Sequence, residues 1–132
     1  VTATVLKFCT VVATPLAFGN YTTVELVGTS TITVTCTNGT GYDIGLDAGG
    51  AAGATVTTRQ MSGTTVTAAR LNYFLYRDSG RTLNWGNTIG TDTLHLTAGV
   101  TPIATPVYGR IPAGQFVAPD AYLDTINVTV TY

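Results

Sequence analysis

Eleven residues, Tyr122 to Tyr132 (YLDTINVTVTY), constrain this chain more than any other stretch. Ile126, Val128, Val130 and Tyr132 share one parity, while Thr125, Asn127, Thr129 and Thr131 share the other. That is the period of a strand with one apolar and one wet face. Such a strand needs a neighbour along each edge, because a long, flat, unpaired edge is a template for aggregation. With no residue after Tyr132 to provide one, the expectation is that an earlier segment returns to lie beside it or that a second polypeptide does.

The rest of the chain reads as β-structure. Charged residues make up 10% of the sequence, against roughly 25% in an ordinary domain. The net charge is −1 and Lys7 is the only lysine. That balance excludes the basic stripe of a nucleic-acid binder and the high charge of a disordered chain. Abundant Thr, Val and Gly suit short strands joined by turns. The 132 residues are enough for one core and no more. No run of about 20 apolar residues crosses a membrane as a helix. The start at Val1, with neither methionine nor a charged leader, reads as a mature chain whose signal peptide has been removed.

In chain order, Val1, Ala3 and Val5 share a parity, Leu6 and Phe8 take the other, and Cys9, Val11 and Ala13 return to the first. Lys7 falls where a buried residue is expected, so a bulge or break is placed near it, with one strand before and another after. Ile32, Val34 and Cys36 alternate against Thr31, Thr33 and Thr35. Cys9 and Cys36 both point inward by this test and can bond if their strands are neighbours. A closed loop of about 28 residues would then add roughly 3 to 4 kcal/mol. The alternative is two buried free thiols.

Asn38-Gly39 predicts a hairpin into Tyr42 to Ala48. The glycine-rich Ala48 to Gly53 predicts a loop with no helix start to hold a phosphate, and Thr55 to Gln60 a weak strand. Leu71 to Trp85 is the most aromatic stretch, closed by a turn at Asp78-Ser79-Gly80. Further strands are expected at Leu94 to Leu96 and Val107 to Ile111, separated by Gly99, Pro102 and Pro106. Some eight short strands without helical periodicity give an all-β antiparallel sandwich.

No catalytic or metal-binding constellation stands out, and neither enzyme activity nor a cofactor is expected. His95 is the only histidine and lies on the opposite face of its strand from Leu94 and Leu96. Ser30, Ser62 and Ser79 lack the context of an activated nucleophile. Asp43 and Asp47 would lie about 13 Å apart along a strand, too far for a shared calcium ion or a glycosidase pair, and read as solvated carboxylates. Tyr73, Phe74, Tyr76 and Trp85 are either core packing or a platform for sugar rings. The glycosylation patterns at Asn20, Asn38 and Asn127 are expected by chance in so threonine-rich a chain.

Five segments together carry a family resemblance: Cys9 to Gly19 (CTVVATPLAFG), Thr31 to Gly39 (TITVTCTNG), the LNYFLYRDSGRT core of Leu71 to Trp85, Val107 to Gln115 (VYGRIPAGQ) and the closing DTINVTVTY. In this order they resemble the spore coat protein U domain, a family that includes subunits of archaic, Csu-type chaperone-usher pili. The resemblance implies an immunoglobulin-like sandwich lacking its last strand and completed by donor-strand complementation. A periplasmic chaperone would fill the groove first, and the N-terminal extension of a neighbouring pilus subunit would replace it during assembly at the outer-membrane usher.

Carried onto this sequence, the resemblance makes Ile126, Val128, Val130 and Tyr132 the acceptor face and Cys9–Cys36 the disulfide. Val1, Ala3 and Val5 lie in a donor strand or its remnant spanning residues 1–6, and residues 8–132 form the body. It implies a protein secreted through the periplasm to the cell surface, supporting adhesion and biofilm formation. Only eight residues precede Cys9, fewer than a full donor extension, so Val1 to Leu6 pairing with its own body stays open. A self-contained secreted spore-coat or sugar-binding domain using Tyr73, Tyr76 or Trp85 is the alternative function.

Overall fold

The computed structural model describes residues 1–132. Its nine strands are β1 (Cys9–Ala13), β2 (Leu26–Cys36), β3 (Gly41–Leu46), β4 (Arg59–Gly63), β5 (Arg70–Tyr76), β6 (Leu94–Thr97), β7 (Ile103–Ile111), β8 (Tyr122–Leu123) and β9 (Val128–Thr131), with no helix. Every pairing is antiparallel. One sheet has six strands in the order β1-β2-β7-β5-β4-β8, and the other has three, β6-β3-β9.

Alternation along each strand sends one set of side chains between the sheets. Ile32, Val34, Leu71, Leu75, Val107 and Ile111 of the larger sheet meet Tyr42, Ile44 and Leu46 of β3 in one buried cluster. Trp85, from the connection between β5 and β6, is 0% exposed and donates its indole N–H to the Ile44 carbonyl at 2.9 Å. The predicted turn after β5 forms around Asp78, whose carboxylate accepts from the Thr82 hydroxyl and the Leu83 N–H.

Five expectations are corrected. The C-terminal stretch is not one strand but two, since β8 pairs with β4 in the larger sheet and β9 with β3 in the smaller. The strict alternation of burial nevertheless runs unbroken from Tyr122 to Thr131, which is why the sequence reads as continuous. The crossing is fixed by Asp47, which accepts from the Asn127 backbone N–H at 3.0 Å and its side-chain amide at 2.7 Å.

Asn38-Gly39 does make a turn, with Gly39 at φ 82, but β2 and β3 enter different sheets. Both edges of β2 are taken by β1 and β7, so the turn becomes a corner of the sandwich. Residues 55–58 form a threonine-bonded turn, and β4 starts only at Arg59. Residues 1–8 lie in no strand. The break near Lys7 is present, but the segment before it forms no strand with its own body. Its contacts are at its end, where Thr37 donates its hydroxyl to the Leu6 carbonyl at 3.0 Å and its N–H to that of Phe8 at 2.9 Å.

β7 also extends through Pro106, which the sequence suggests as a separator. The opposing residue Thr31 directs its N–H and C=O to Thr14, and pairing with β5 ends at Tyr108. Proline therefore costs no ladder bond there.

Polar groups of the interior are tied to backbone. Arg59, 1% exposed, donates to the carbonyls of Asp47 (2.8 Å), Val56 (3.0 Å), Leu46 (2.9 Å) and Trp85 (2.7 Å). Burial lowers its pKa, opposed by the nearby Tyr73 and aspartates. Replacing it with Met should strand these carbonyls and destabilise the fold by about 3 kcal/mol or more, measured as a lower denaturant midpoint.

At the opposite end, Asp120 binds the backbone N–H groups of Val66 and Thr65 and the Thr64 hydroxyl. These bonds, led by the Val66 N–H, hold its pKa down to about 2 from 3.8. A depressed carboxylate stabilises the fold above its unfolded pKa and loses that effect as pH falls through the folded one. Asp120→Asn should lower the melting temperature at pH 6. The gap from the parent should close between about pH 4 and pH 2.

Candidate functional site

The two sheets differ in width, and the consequence is an open groove. β9 pairs with β3 along one edge and ends its sheet at the other. β1, the terminal strand of the larger sheet, stands across from it. Between them lies a cleft of about 400 Å³. Its floor is core, including Ile32, Leu75 and Val107, and its walls are residues 13–16 with Phe18 on one side and 122–126 with Val128 on the other. A second hollow of about 1220 Å³ continues from it beneath residues 115–123, sharing Leu16, Phe18, Met61 and Tyr122.

Local sequence explains each wall. Gly28 of β2 and Gly109 of β7 face each other in register, and Phe18 and Leu16 settle over them, where a Cβ on Gly109 would meet the Phe18 ring at 2.7 Å. Phe18 then meets Tyr73 edge-on at 6.4 Å between ring centroids. Here the strand glycines mark close approach, a signal present in the sequence. On the other wall the Gly49-Gly50 loop closes on the Asp124 carboxylate, with Gly49 at φ +83 and no room for a side chain. Asp124 accepts from Gly50 N–H at 2.7 Å and from the Tyr73 hydroxyl at 2.6 Å. Burial, then this hydrogen bond, raises the Tyr73 pKa far above its ordinary value.

The residues expected at the acceptor face are placed as follows. Ile126 and Val128 line the groove. Val130 is half-buried against the core on the same face, whereas Tyr132 lies past the end of β9 and is 51% exposed. Sequence reasoning missed Leu16, Phe18 and Asp124 as groove residues. Leu16 and Phe18 have the period-two spacing of the walls but sit between turn signals, and Asp124 has the inward parity of Ile126.

Among the expected donor residues Val1 and Val5 are fully or largely exposed, and Ala3 is exposed with them. Cys9 and Cys36 are directly opposed in the β1–β2 register and joined by a disulfide, with their Cα atoms 4.0 Å apart.

The remaining candidates are structural. Tyr73, Tyr76 and Trp85 are 4%, 7% and 0% exposed, so they give no platform for a sugar ring. Phe74 stacks on Tyr76 at 6.1 Å, with the Arg110 guanidinium over both rings. Asp43 is bonded rather than merely solvated, accepting from the Thr93 hydroxyl at 3.0 Å and pairing with His95 Nδ1 at 3.1 Å. Asp47 holds the β8–β9 crossing. His95 is exposed and faces no nucleophile. What the arrangement offers is a strand edge without a partner beside an apolar groove: β9 has no neighbour on its second edge, and most of the groove's lining is hydrophobic.

Known proteins share this architecture. Protein U of Myxococcus xanthus is 38% identical over 122 residues, covering 89% of this chain and 67% of that protein. The crystal structure of the CsuC-CsuE chaperone-tip adhesion subunit pre-assembly complex, from archaic chaperone-usher Csu pili of Acinetobacter baumannii, superposes with a TM-score of 0.69 at 22% identity. That match takes in 98% of this chain but 41% of the matched one.

A chaperone-tip adhesin complex of CFA/I fimbriae biogenesis matches with a TM-score of 0.55 at 12% identity, over 92% of this chain and 41% of the other. The chain thus spans less than half the length of these structural neighbours. At such identities the likeness is one of fold, and it bears out the immunoglobulin-like antiparallel sandwich. The family model of the Spore Coat Protein U domain matches residues 1–129, and the chain belongs to that family.

Proposed function

We propose that this protein is a structural subunit of a chaperone-usher surface fibre, polymerising by donor-strand exchange. The observation that carries the reading is the apolar groove beside the unpaired edge of β9. An open groove and a free apolar segment belong to the same molecule. Val1 and Val5, which share the parity that would enter the groove, are 134% and 81% exposed, and burying each in a neighbour is worth about 1.5 to 3 kcal/mol. Main-chain bonding along β9 would fix the added strand and the groove would select its alternate side chains.

The fold shared with subunits of chaperone-tip complexes supports a periplasmic chaperone as the first occupant and an outer-membrane usher as the place of exchange. On this reading residues 1–6 are donor strand and residues 8–132 body, with Ile126, Val128 and Val130 the acceptor face. The fibre would stand on the cell surface and serve adhesion and biofilm formation. Its work is mechanical and needs no enzymatic centre. The self-contained coat or sugar-binding alternative keeps the likeness to Protein U, but its expected platform of Tyr73, Tyr76 and Trp85 is buried.

Val128→Asp places a carboxylate without a partner in the groove, at a cost of several kcal/mol. Assembly and chaperone co-purification should fall by about 100-fold or more, while Thr129→Asp, on the exposed face, should assemble like the parent. Retention of the Cys9–Cys36 bond and the far-UV circular dichroism spectrum checks that both variants fold. If folded Val128→Asp assembled normally, strand exchange at this groove would be wrong.

A further inference from the structure

Lys7 sits on the inward parity of an otherwise apolar segment, and no intrachain pairing explains it. The same-parity residues of the segment are Val1, Ala3, Val5 and Lys7. Those of the acceptor stretch are Asp124, Ile126, Val128 and Val130, all half-buried, while Leu123, Thr125, Asn127, Thr129 and Thr131 are exposed. Each face therefore carries three aliphatic positions and one charge. The charge is positive at the C-terminal end of the first and negative at the N-terminal end of the second.

Antiparallel strands pair residues whose numbers have a constant sum. Setting Val1 against Val130 brings Ala3 to Val128 within β9, and the same alternation carried past β9 along the groove wall, where Ile126 and Asp124 are half-buried, brings Val5 to Ile126 and Lys7 to Asp124. Resting on the strand-exchange reading, we propose that Lys7 of one subunit forms an ion pair with Asp124 of the next, and that this pair fixes the orientation and register of the inserted strand.

Other arrangements are worse on the same physics. A shift of two residues sets Lys7 against Ile126 or Val5 against Asp124, leaving a charge facing an aliphatic side chain in a half-buried groove. A shift of one turns the apolar face outward. A parallel strand carries Lys7 toward Tyr132 and leaves Asp124 facing Val1.

Asp124 is prepared for a cation. Its carboxylate accepts from the N–H groups of Gly50 and Thr125 and from the Tyr73 hydroxyl, three of about four available positions, and all three donors are neutral. Arg59, whose field reaches it, spends its N–H groups on carbonyls. The chain's one ion pair is His95–Asp43, so Lys7 and Asp124 are each unpaired in the isolated subunit. A half-buried pair of this kind contributes register and residence time more than raw affinity.

Because Lys7 is the only lysine, zero-length carbodiimide crosslinking reports on it once peptide mapping separates its products from those of the N-terminal amine. Fibres assembled from a mixture of isotopically light and heavy subunits should yield a Lys7–Asp124 crosslink between light and heavy chains. Assembled fibres in which Lys7 joins another carboxylate, or none, would overturn the proposal. Variants at Lys7 leave the body intact, since its side chain is exposed.

Lys7→Gln should speed subunit dissociation about tenfold and Lys7→Glu more, with Asp124→Asn partly relieving the Glu variant but not the Gln variant. Unchanged dissociation of both Lys7 variants would refute the pair while leaving strand exchange standing, provided Val128→Asp still blocks assembly. Normal assembly of Val128→Asp would instead remove both.

Discussion

A three-stranded sheet cannot cover a six-stranded one, and this inequality governs the molecule. Sheet neighbours are spaced about 4.8 Å apart, so the inner face of the larger sheet extends well past β6-β3-β9. Part of the excess is roofed by irregular chain. Leu16 and Phe18 lie over the paired glycines of β2 and β7, and Tyr21 anchors the segment by donating its hydroxyl to the Pro112 carbonyl at 2.6 Å and accepting from Gln115 N–H at 3.1 Å. What this roof does not reach is the groove beside β9. The site is thus a consequence of strand count and not of any specialised side chain.

A chain with few charges spends them on backbone. Asp47, Asp78, Asp120 and Asp124 each accept from main-chain N–H groups of loops or strand crossings, and Arg59 serves carbonyls in the same way. At Asp47, Asp78 and Asp124 these links fix places where the chain leaves one sheet for the other, and at Asp120 they tie the β4–β5 turn to the approach to β8, which short strands of four or five residues could not hold by pairing alone. Charge-assisted bonds to backbone are also stronger than neutral ones. Threonine-rich strand faces can then stay uncharged without loss of definition.

The fold class was legible because alternation of burial survives even where pairing does not. Ile32, Val34, Tyr42, Ile44 and Leu46 all point inward as their parity requires. The same robustness concealed the sheet change at Asp124 to Asn127, since parity reports the buried face and not the partner strand. Asn38-Gly39 specified a turn but not a hairpin, because partner choice is made by the edges of β2, which β1 and β7 already occupy. Arg59 was illegible as a buried residue. Only the convergence of the Leu46, Asp47, Val56 and Trp85 carbonyls, from segments far apart in sequence, makes its burial tolerable. The acceptor side of the groove could be read from Ile126 and Val128, whereas the Leu16–Phe18 wall depends on two glycines meeting across β2 and β7.

Where the free segment leaves the body decides what kind of assembly it can make. Leu6 and Phe8 are bonded to Thr37 beyond the end of β2, whereas the β1 side of the groove begins at Ala13, the opposite end of β1. The disulfide at Cys9–Cys36 pins the point of departure, so residues 1–8 cannot slide back along β1 without breaking its register with β2. A segment held at one end of the molecule, and a groove whose wall opens at the other, make two different surfaces, not one self-complementary patch. An interface between unlike surfaces that does not close on itself propagates head to tail. In the proposed fibre, each subunit would therefore use its groove for one neighbour and its extension for the next. Tension along the fibre would meet the Thr37 bonds to Leu6 and Phe8 first and behind them the covalent link at Cys9.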